Sequence, residues 1–328
     1  MKLARKKWLE INHKFLSSLL LDVSPGQVAV FDWDDTCIYG DCGDAFFHFQ
    51  LQYGLLRLGP DKLDSLALEF GASARRLLNE LALAGGLAFF PPGKRKQFRE
   101  LAALLLQLYR QLELGPGGPA AAYSWVIAFL AGFSPEEVLT MARRSFRRQL
   151  RLPLSTFSSR FGTSGRALKW RRGIRVFSEM RNLATAFRRA GVRVYLVSAT
   201  QPLVVEAAAI EAGFQVDGVI GMAGEKDAGG RLTGRLDPGY QVNYGSGKVA
   251  NINKFLGREP VFVAGDSLND LPMLTAYPGT RARLLIAGEE KPELEKIYLL
   301  ARKPESGTLI QAVDSEKGHF SAETPNWL

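Results

Sequence analysis

The 328-residue chain has only two cysteines and three histidines. Cys37 and Cys42 stand too close together to brace a fold, and they lack the partners of a zinc site. They read as reduced thiols in a reducing, cytoplasmic compartment. No run of about 18 uninterrupted apolar residues occurs, so no membrane-spanning helix is expected. Lys2, Arg5, Lys6 and Lys7 stand where an export signal would open, but Glu10, His13 and Lys14 break the apolar stretch it needs, and none is read. There is no apparent repeat, and 33 glycines and 16 prolines are close to average usage, which excludes a fibrous chain. Acid is missing from one whole segment. Between Val138 and Ser178 no Asp or Glu occurs, while Arg143, Arg144, Arg147, Arg148, Arg151, Arg160, Arg166, Lys169, Arg171, Arg172 and Arg175 supply eleven positive charges. These eleven exceed the net charge of +9, leaving −2 for everything else.

What is present is a 46% apolar chain, long enough to bury one large core or two ordinary ones. Trp8, Ile11, Phe15 and Leu19 recur at helical spacing, which suits a helix packed on that core; the basic flank also allows a helix lying on a membrane surface. Val28-Ala29-Val30-Phe31 is a short apolar run that ends directly in acidic residues, the pattern of a buried parallel strand presenting chemistry at its carboxyl end. Residues 192–197 follow a helical stretch and Gly191, then run into Ser198. Residues 261–264 follow a helix and Gly257, then run into Gly265-Asp266. A further strand is expected at 284–286. Strands alternating with helices predict an α/β fold: a Rossmann-like, three-layer parallel-sheet core whose strand ends converge on one site.

Roughly 140 residues with helical signals separate the first strand from the second. The helical stretches are 63–70, 74–83, 97–112 and 136–150, broken by Gly85-Gly86, Pro91-Pro92-Gly93 and Gly115-Pro116-Gly117-Gly118-Pro119. The expected organisation is a core of residues 1–40 and 179–328, with a helical cap of 41–178 inserted in it. Residues 221–247 read as a small hairpin excursion leading to Lys248. From about residue 304 the pattern is weak, and a partly mobile tail is expected.

Asp32-Trp33-Asp34-Asp35-Thr36 is the strongest chemical feature. Carboxylates clustered at a strand end repel one another and call for a cation, and Mg²⁺ prefers such hard oxygen ligands; an acidic turn or helix cap would give the same composition. Gly265-Asp266-Ser267-Leu268-Asn269-Asp270 supplies a second acidic cluster. Lys248 opens a helix after Gly245-Ser246-Gly247, and Ser198 ends a strand. Each is ordinary in isolation.

In this order, at successive strand ends, the set resembles the haloacid dehalogenase superfamily of phosphatases and phosphotransferases. The matching motifs are Asp32-x-Asp34-x-Thr36, Ser198, Lys248 and Gly265-Asp266-Ser267-x-x-Asp270, and the likeness covers about 25–40 and 180–290. Insertion of the cap between the first and second motifs, with Gly230-Arg231-Leu232-Thr233-Gly234 and Gly247-Lys248, is similar to the phosphoserine phosphatase-like branch; the large cap also resembles that of phosphorylcholine phosphatases.

The resemblance implies a Mg²⁺-dependent phosphomonoester hydrolase acting on a small phosphorylated metabolite. Asp32 is the implied nucleophile, and Asp34 the acid and base. Ser198 and Lys248 hold phosphoryl oxygens, and Asp32, the Asp34 carbonyl, Asp266 and Asp270 bind Mg²⁺. Thr36, Asp41, Asp44, Thr200 and Asn269 are assigned to substrate binding. Asp41 takes the place where relatives contact a substrate amine, suiting an amino or choline phosphate, although Asp41 or Asp44 also suits a helix cap. Trp33 and Asp35 fall at variable places and receive no role. Arg143, Arg144, Arg147 and Arg148 share one side of a helix, as a solvated face or as a dock for an anionic substrate, nucleic acid or acidic membrane. Two rivals share these features: a phosphotransferase on the same scaffold, and a basic-cap binding protein with a vestigial core.

Overall fold

The computed structural model describes residues 3–57, 95–159 and 167–326. The predicted helices at 63–70 and 74–83, the loop signals at 85–93, and Arg160 and Arg166 lie outside them. At the centre is a seven-stranded sheet. Its spatial order is β13 (His319–Phe320), β12 (Thr308–Asp314), β11 (Ala282–Ala287), β10 (Phe262–Gly265), β1 (Val28–Phe31), β6 (Arg193–Val197) and β7 (Gly218–Ile220). All neighbours are parallel except β12 with β13.

Every residue of β1 is buried, because helices cover both faces of the strand. Ala29 and Phe31 point into a cluster with α1 (Glu10–Asp22), α6 (Ser178–Arg189) and α7 (Pro202–Ala212). Val28 and Val30 point the other way, toward α8 (Ser246–Leu256), α9 (Leu271–Thr275) and α10 (Glu295–Ala301). The chain runs from β1 through β6 to β7, then returns to β10 on the opposite side of β1. That reversal makes the cleft beyond the carboxyl ends of β1 and β10 the place where a ligand fits. Asp32 and Asp266 stand at its two lips.

Three elements depart from the sequence reading. Ile11 is 71% exposed, and the buried face of α1 is Asn12, Leu16, Leu19 and Leu20. Trp8 is buried before the helix begins, so it does not set the helical phase. Residues 308–314 are not a loose tail but a buried strand of the central sheet. Gln311 masked its apolar pattern; its amide oxygen accepts from Leu9 N (2.9 Å) and Asn12 Nδ2 (3.1 Å), so the interruption is satisfied inside the fold.

The insertion is also less purely helical than expected. It leaves and re-enters the core through a two-stranded ribbon, β2 (Ile38–Tyr39) against β5 (Arg175–Val176). It contains α2 (Cys42–Tyr53), α3 (Arg95–Leu114), α4 (Gly118–Val126) and α5 (Pro135–Arg151), plus a hairpin of β3 (Ser155–Ser159) and β4 (Leu168–Arg172). A second hairpin, β8 (Gly224–Lys226) with β9 (Leu232–Leu236), is the small excursion before Lys248.

The insertion is packed in two ways. Val138, Met141, Ala142 and Phe146 of α5 join the core cluster beneath the sheet, and Arg143 and Arg147 pair with Glu211 on α7. Phe47, Leu101, Leu105, Tyr109, Phe129 and Trp170 instead form a cluster of their own. The basic face of α5 is thus partly neutralised against the core.

Candidate active site

The loop after β1 is folded tightly on itself. Cys37 N and Ile38 N both donate to the Trp33 carbonyl (2.8 and 3.3 Å), and Asp32 N donates to Ala264 O on β10 (2.9 Å). This anchors Asp32 over the sheet edge and turns Asp34 toward β6. Asp32 is 5% exposed. Its Oδ1 accepts from Lys248 Nζ at 2.6 Å, and its Oδ2 from the Thr36 hydroxyl at 2.8 Å.

Lys248 is fully buried and reaches Asp270 Oδ1 at 2.6 Å as well as Asp32. Burial opposes its charge, but the two carboxylates outweigh that cost and raise its pKa, so it stays an ammonium ion. Asp270 Oδ2 accepts from Asp266 N (3.0 Å), Ser267 N (3.3 Å) and Ser267 Oγ (3.2 Å), which ties the β10 loop to the lysine.

Asp34 faces the other way. Its Oδ1 accepts from Cys42 N (2.7 Å), and its Oδ2 from Thr200 Oγ1 (2.9 Å) and Ser198 Oγ (3.3 Å). Burial and then the nearby Asp41 raise its pKa to about 7, which suits proton exchange near neutrality. Asp32 is likewise raised, by burial first and by Asp270 next.

Asp32, Asp266 and Asp270 each offer a carboxylate oxygen, all within 4.8 Å of one another. Burial and Asp270 push Asp266 well above the ordinary carboxylate range. Lys248 lies on one side of the trio, and Lys291, whose Nζ donates to Asp266 O at 2.8 Å, on the other. Three carboxylates against two ammonium groups, all hard oxygen donors, fit a divalent cation of the Mg²⁺ type.

A cavity of about 420 Å³ opens over this floor. Asp32, Asp34, Asp41, Asp44, Ser198, Thr200, Asp266 and Asn269 all line it. Asp41 does cap α2, its Oδ1 accepting from Asp44 N at 2.7 Å, yet it also faces the cavity, so the two readings of this residue coexist. Asn269 is partly engaged, its Oδ1 accepting from Gly245 N (2.6 Å). Thr36 does not fit its expected place. It is 0% exposed and absent from the cavity wall, because its hydroxyl is turned down onto Asp32. Lys248 and Asp270 also lie beneath the wall, not in it.

Sequence reasoning missed the roof. Tyr109, Arg110 and Glu113 of α3, Tyr123 of α4, and Lys169, Trp170 and Arg171 of β4 complete the cavity. The Tyr109 hydroxyl bonds Asp44, and burial raises its pKa. Tyr109 and Tyr123 follow helical periodicity and Trp170 the alternation of a strand, as core residues do, so nothing in the pattern separated them from packing.

A family model for haloacid dehalogenase-like hydrolases matches residues 88–275, more than half of the chain. The chain therefore belongs to that family. The matched stretch holds Ser198, Lys248, Asp266 and Asp270 and begins after Asp32 and Asp34. Among solved structures, a conserved protein of unknown function from Anaerococcus prevotii is 21% identical with a TM-score of 0.81, each chain covered over 98%. A protein of unknown function from Bordetella pertussis is 20% identical with a TM-score of 0.53, over 89% of this chain and all of that one. These likenesses extend the shared fold to nearly the whole chain, insertion included. No curated protein matches. Among the described residues, no single helix is long and apolar enough to cross a membrane.

Proposed function

We propose that this hydrolase cleaves small phosphomonoesters through an aspartyl-phosphate formed on Asp32. The observation that carries the reading is Lys248 Nζ lying 2.6 Å from both Asp32 and Asp270, at the floor of a cavity that also holds Asp34. Asp32 attacks phosphorus and the ester oxygen leaves, taking a proton from Asp34. Asp34 then removes a proton from water, whose oxygen attacks the phosphoaspartate, releasing phosphate and restoring Asp32. Ser198 at the β6 end supplies a hydroxyl toward phosphoryl oxygens, and Lys248 offsets the charge of Asp32.

Asp32, Asp266 and Asp270, with the Asp34 carbonyl, would hold Mg²⁺. Bound there, it would supply positive charge against the phosphoryl oxygens. Asp41 and Asp44 beneath Tyr109 and Tyr123 favour a leaving group with a cationic end, such as an amino or choline phosphate. Residues 41–178 serve as the cap in this reading. The two free, buried cysteines fit a cytoplasmic enzyme. A polyanion-binding role is weaker, since Arg143 and Arg147 are already spent on Glu211.

The test is a phosphomonoester screen with Mg²⁺ present and with chelator, run on the wild type and on Asp32→Asn. Turnover only with Mg²⁺, abolished in a folded Asp32→Asn protein, is expected. Near-normal turnover in that variant would exclude the mechanism. Product analysis with added alcohol separates hydrolysis from transfer.

A further inference from the structure

Asp35 was left without a role, yet its surroundings are unusual. Among the described residues it is one of two non-glycine positions with positive φ, at +54°, a conformation that Asp tolerates better than most side chains. Two bonds hold it there: Asp35 N to Gly40 O (3.1 Å) and Gly40 N to Asp35 Oδ1 (2.9 Å). Its carboxylate is then gripped from the insertion by Arg171 on β4. Arg171 Nη1 donates to Oδ1 at 2.9 Å and Nη2 donates to Oδ2. The guanidinium also lies 5.7 Å from the centre of the Tyr39 ring.

This contact joins the two halves at a sensitive place. Asp35 follows Asp34 directly, and Trp170, next to Arg171, forms part of the roof. Asp35, Arg171 and Asp266 also line a second cavity of about 340 Å³, so the ion pair stands between the two spaces. The chain crosses between core and insertion at Gly40 (φ +112°) and Gly173 (φ +87°), both in conformations open to glycine. Helix α5 is held by its packing against α7 and α2 and by the pairing of Arg143 and Arg147 with Glu211. The β3–β4 hairpin and α3–α4 belong to the separate apolar cluster.

We propose that Arg171 is a positioning residue: by clamping Asp35 it latches the roof over the cavity and holds the Asp34 loop in register. The kinetic readout of this proposal rests on the phosphatase reading; the structural readout does not. Asp35→Asn is the clean probe, since it keeps the acceptor for Gly40 N and tolerance of positive φ while removing charge. Arg171→Gln removes the other charge, and Arg171→Lys keeps charge without the two-pronged fork.

With p-nitrophenyl phosphate and Mg²⁺, each single variant should lose about fivefold in kcat/KM, the upper range for a half-exposed pair with two-pronged geometry. The loss should fall mainly on KM, since the nucleophile and its lysine lie below the latch. The double variant Asp35→Asn/Arg171→Gln should lose no more than either single. Arg171→Lys should resemble Arg171→Gln, and the wild-type advantage should shrink in about 1 M salt. Multiplicative losses in the double variant would show that Arg171 acts on substrate independently and would overturn the latch. Full activity in the singles would overturn it as well.

Hydrogen exchange of the 38–40 and 168–176 amides reads the latch without turnover. It should quicken in Arg171→Gln and Asp35→Asn, and unchanged exchange refutes the proposal. If the wild type hydrolyses no phosphomonoester, the phosphatase reading fails, and exchange alone decides the latch.

Discussion

The floor and the roof of the cavity handle buried polarity in opposite ways. On the floor, Asp32, Lys248 and Asp270 are almost wholly removed from water, and each has close partners. Among the described residues, the groups buried without a partner are uncharged atoms of the core (Trp8 Nε1, Trp33 Nε1 and Thr308 Oγ1) and, more numerously, atoms of the insertion: His48 Nε2, Gln107 Oε1, Trp125 Nε1, Trp170 Nε1 and Arg172 Nε. A buried charge is tolerated only in a fixed, fully satisfied network. Orphaned polar groups are a cost that a structure keeps where partners arrive later or shapes change. The floor is therefore built for chemistry that must not shift, and the roof for adjusting to what lies beneath it.

Removing the floor's cation should produce the largest effect. Lys248→Met leaves Asp32 and Asp270 facing each other in a dry site, and the loss should be about 4 kcal/mol of stability together with turnover. Denaturant unfolding measures it. A variant as stable as the wild type would mean that the floor does not depend on this lysine.

Next in size is the response to metal. Mg²⁺ at about one hundred times its Kd should stabilise the protein by about 2.7 kcal/mol, read as a rise in Tm. Asp266→Asn should remove most of that rise without unfolding the protein, because Asp266 is the more open ligand of the three. A wild-type Tm indifferent to Mg²⁺ would leave the acidic trio without its proposed occupant.

The roof offers a contrasting prediction. His48 packs edge-on against Phe157 and Trp170, and burial lowers its pKa from 6.5 to about 3. Between those values the unfolded chain takes up a proton that the folded chain refuses, so this contribution to stability is lost as pH falls below 6.5. From pH 7 to pH 5 the wild type should lose about 2 kcal/mol more than His48→Phe. Urea midpoints of the two proteins at both pH values give the difference. Parallel pH profiles would show that His48 is solvated and its surroundings open.

The same contrast explains what could be read from the sequence. The floor was legible because its chemistry is local: Asp32, Ser198 and Asp266 each follow an apolar run directly, and strand ends of a parallel sheet converge of necessity. Thr36 shows the limit, since spacing places a hydroxyl near the site but does not say that it turns down onto Asp32. The roof was illegible because Tyr109, Tyr123 and Trp170 come from three distant elements and obey the same periodicity as core residues. Residues 308–314 were misjudged because Gln311, fully satisfied by Leu9 and Asn12, imitates a surface residue.

Asp41 belongs to both regions, and an effect smaller than those on the lysine, the metal and His48 turns on it. Its carboxyl caps α2 and also lines the cavity, while burial first and Asp44 next push its pKa up. Such a group holds its proton more tightly than an ordinary carboxylic acid, and a cationic leaving group would favour the ionised form. Asp41→Asn preserves the cap, since Asn serves as well as Asp at a helix start, and removes only the charge. KM for an aminoalkyl phosphate should rise about tenfold, a difference of about 1.4 kcal/mol, while KM for a neutral alkyl phosphate of the same length stays nearly constant. Because the wild-type carboxyl is raised, its preference for the cationic substrate should strengthen as pH increases, and the variant should show no such trend. Equal KM changes for both substrates would remove Asp41 from recognition and leave it as a cap alone.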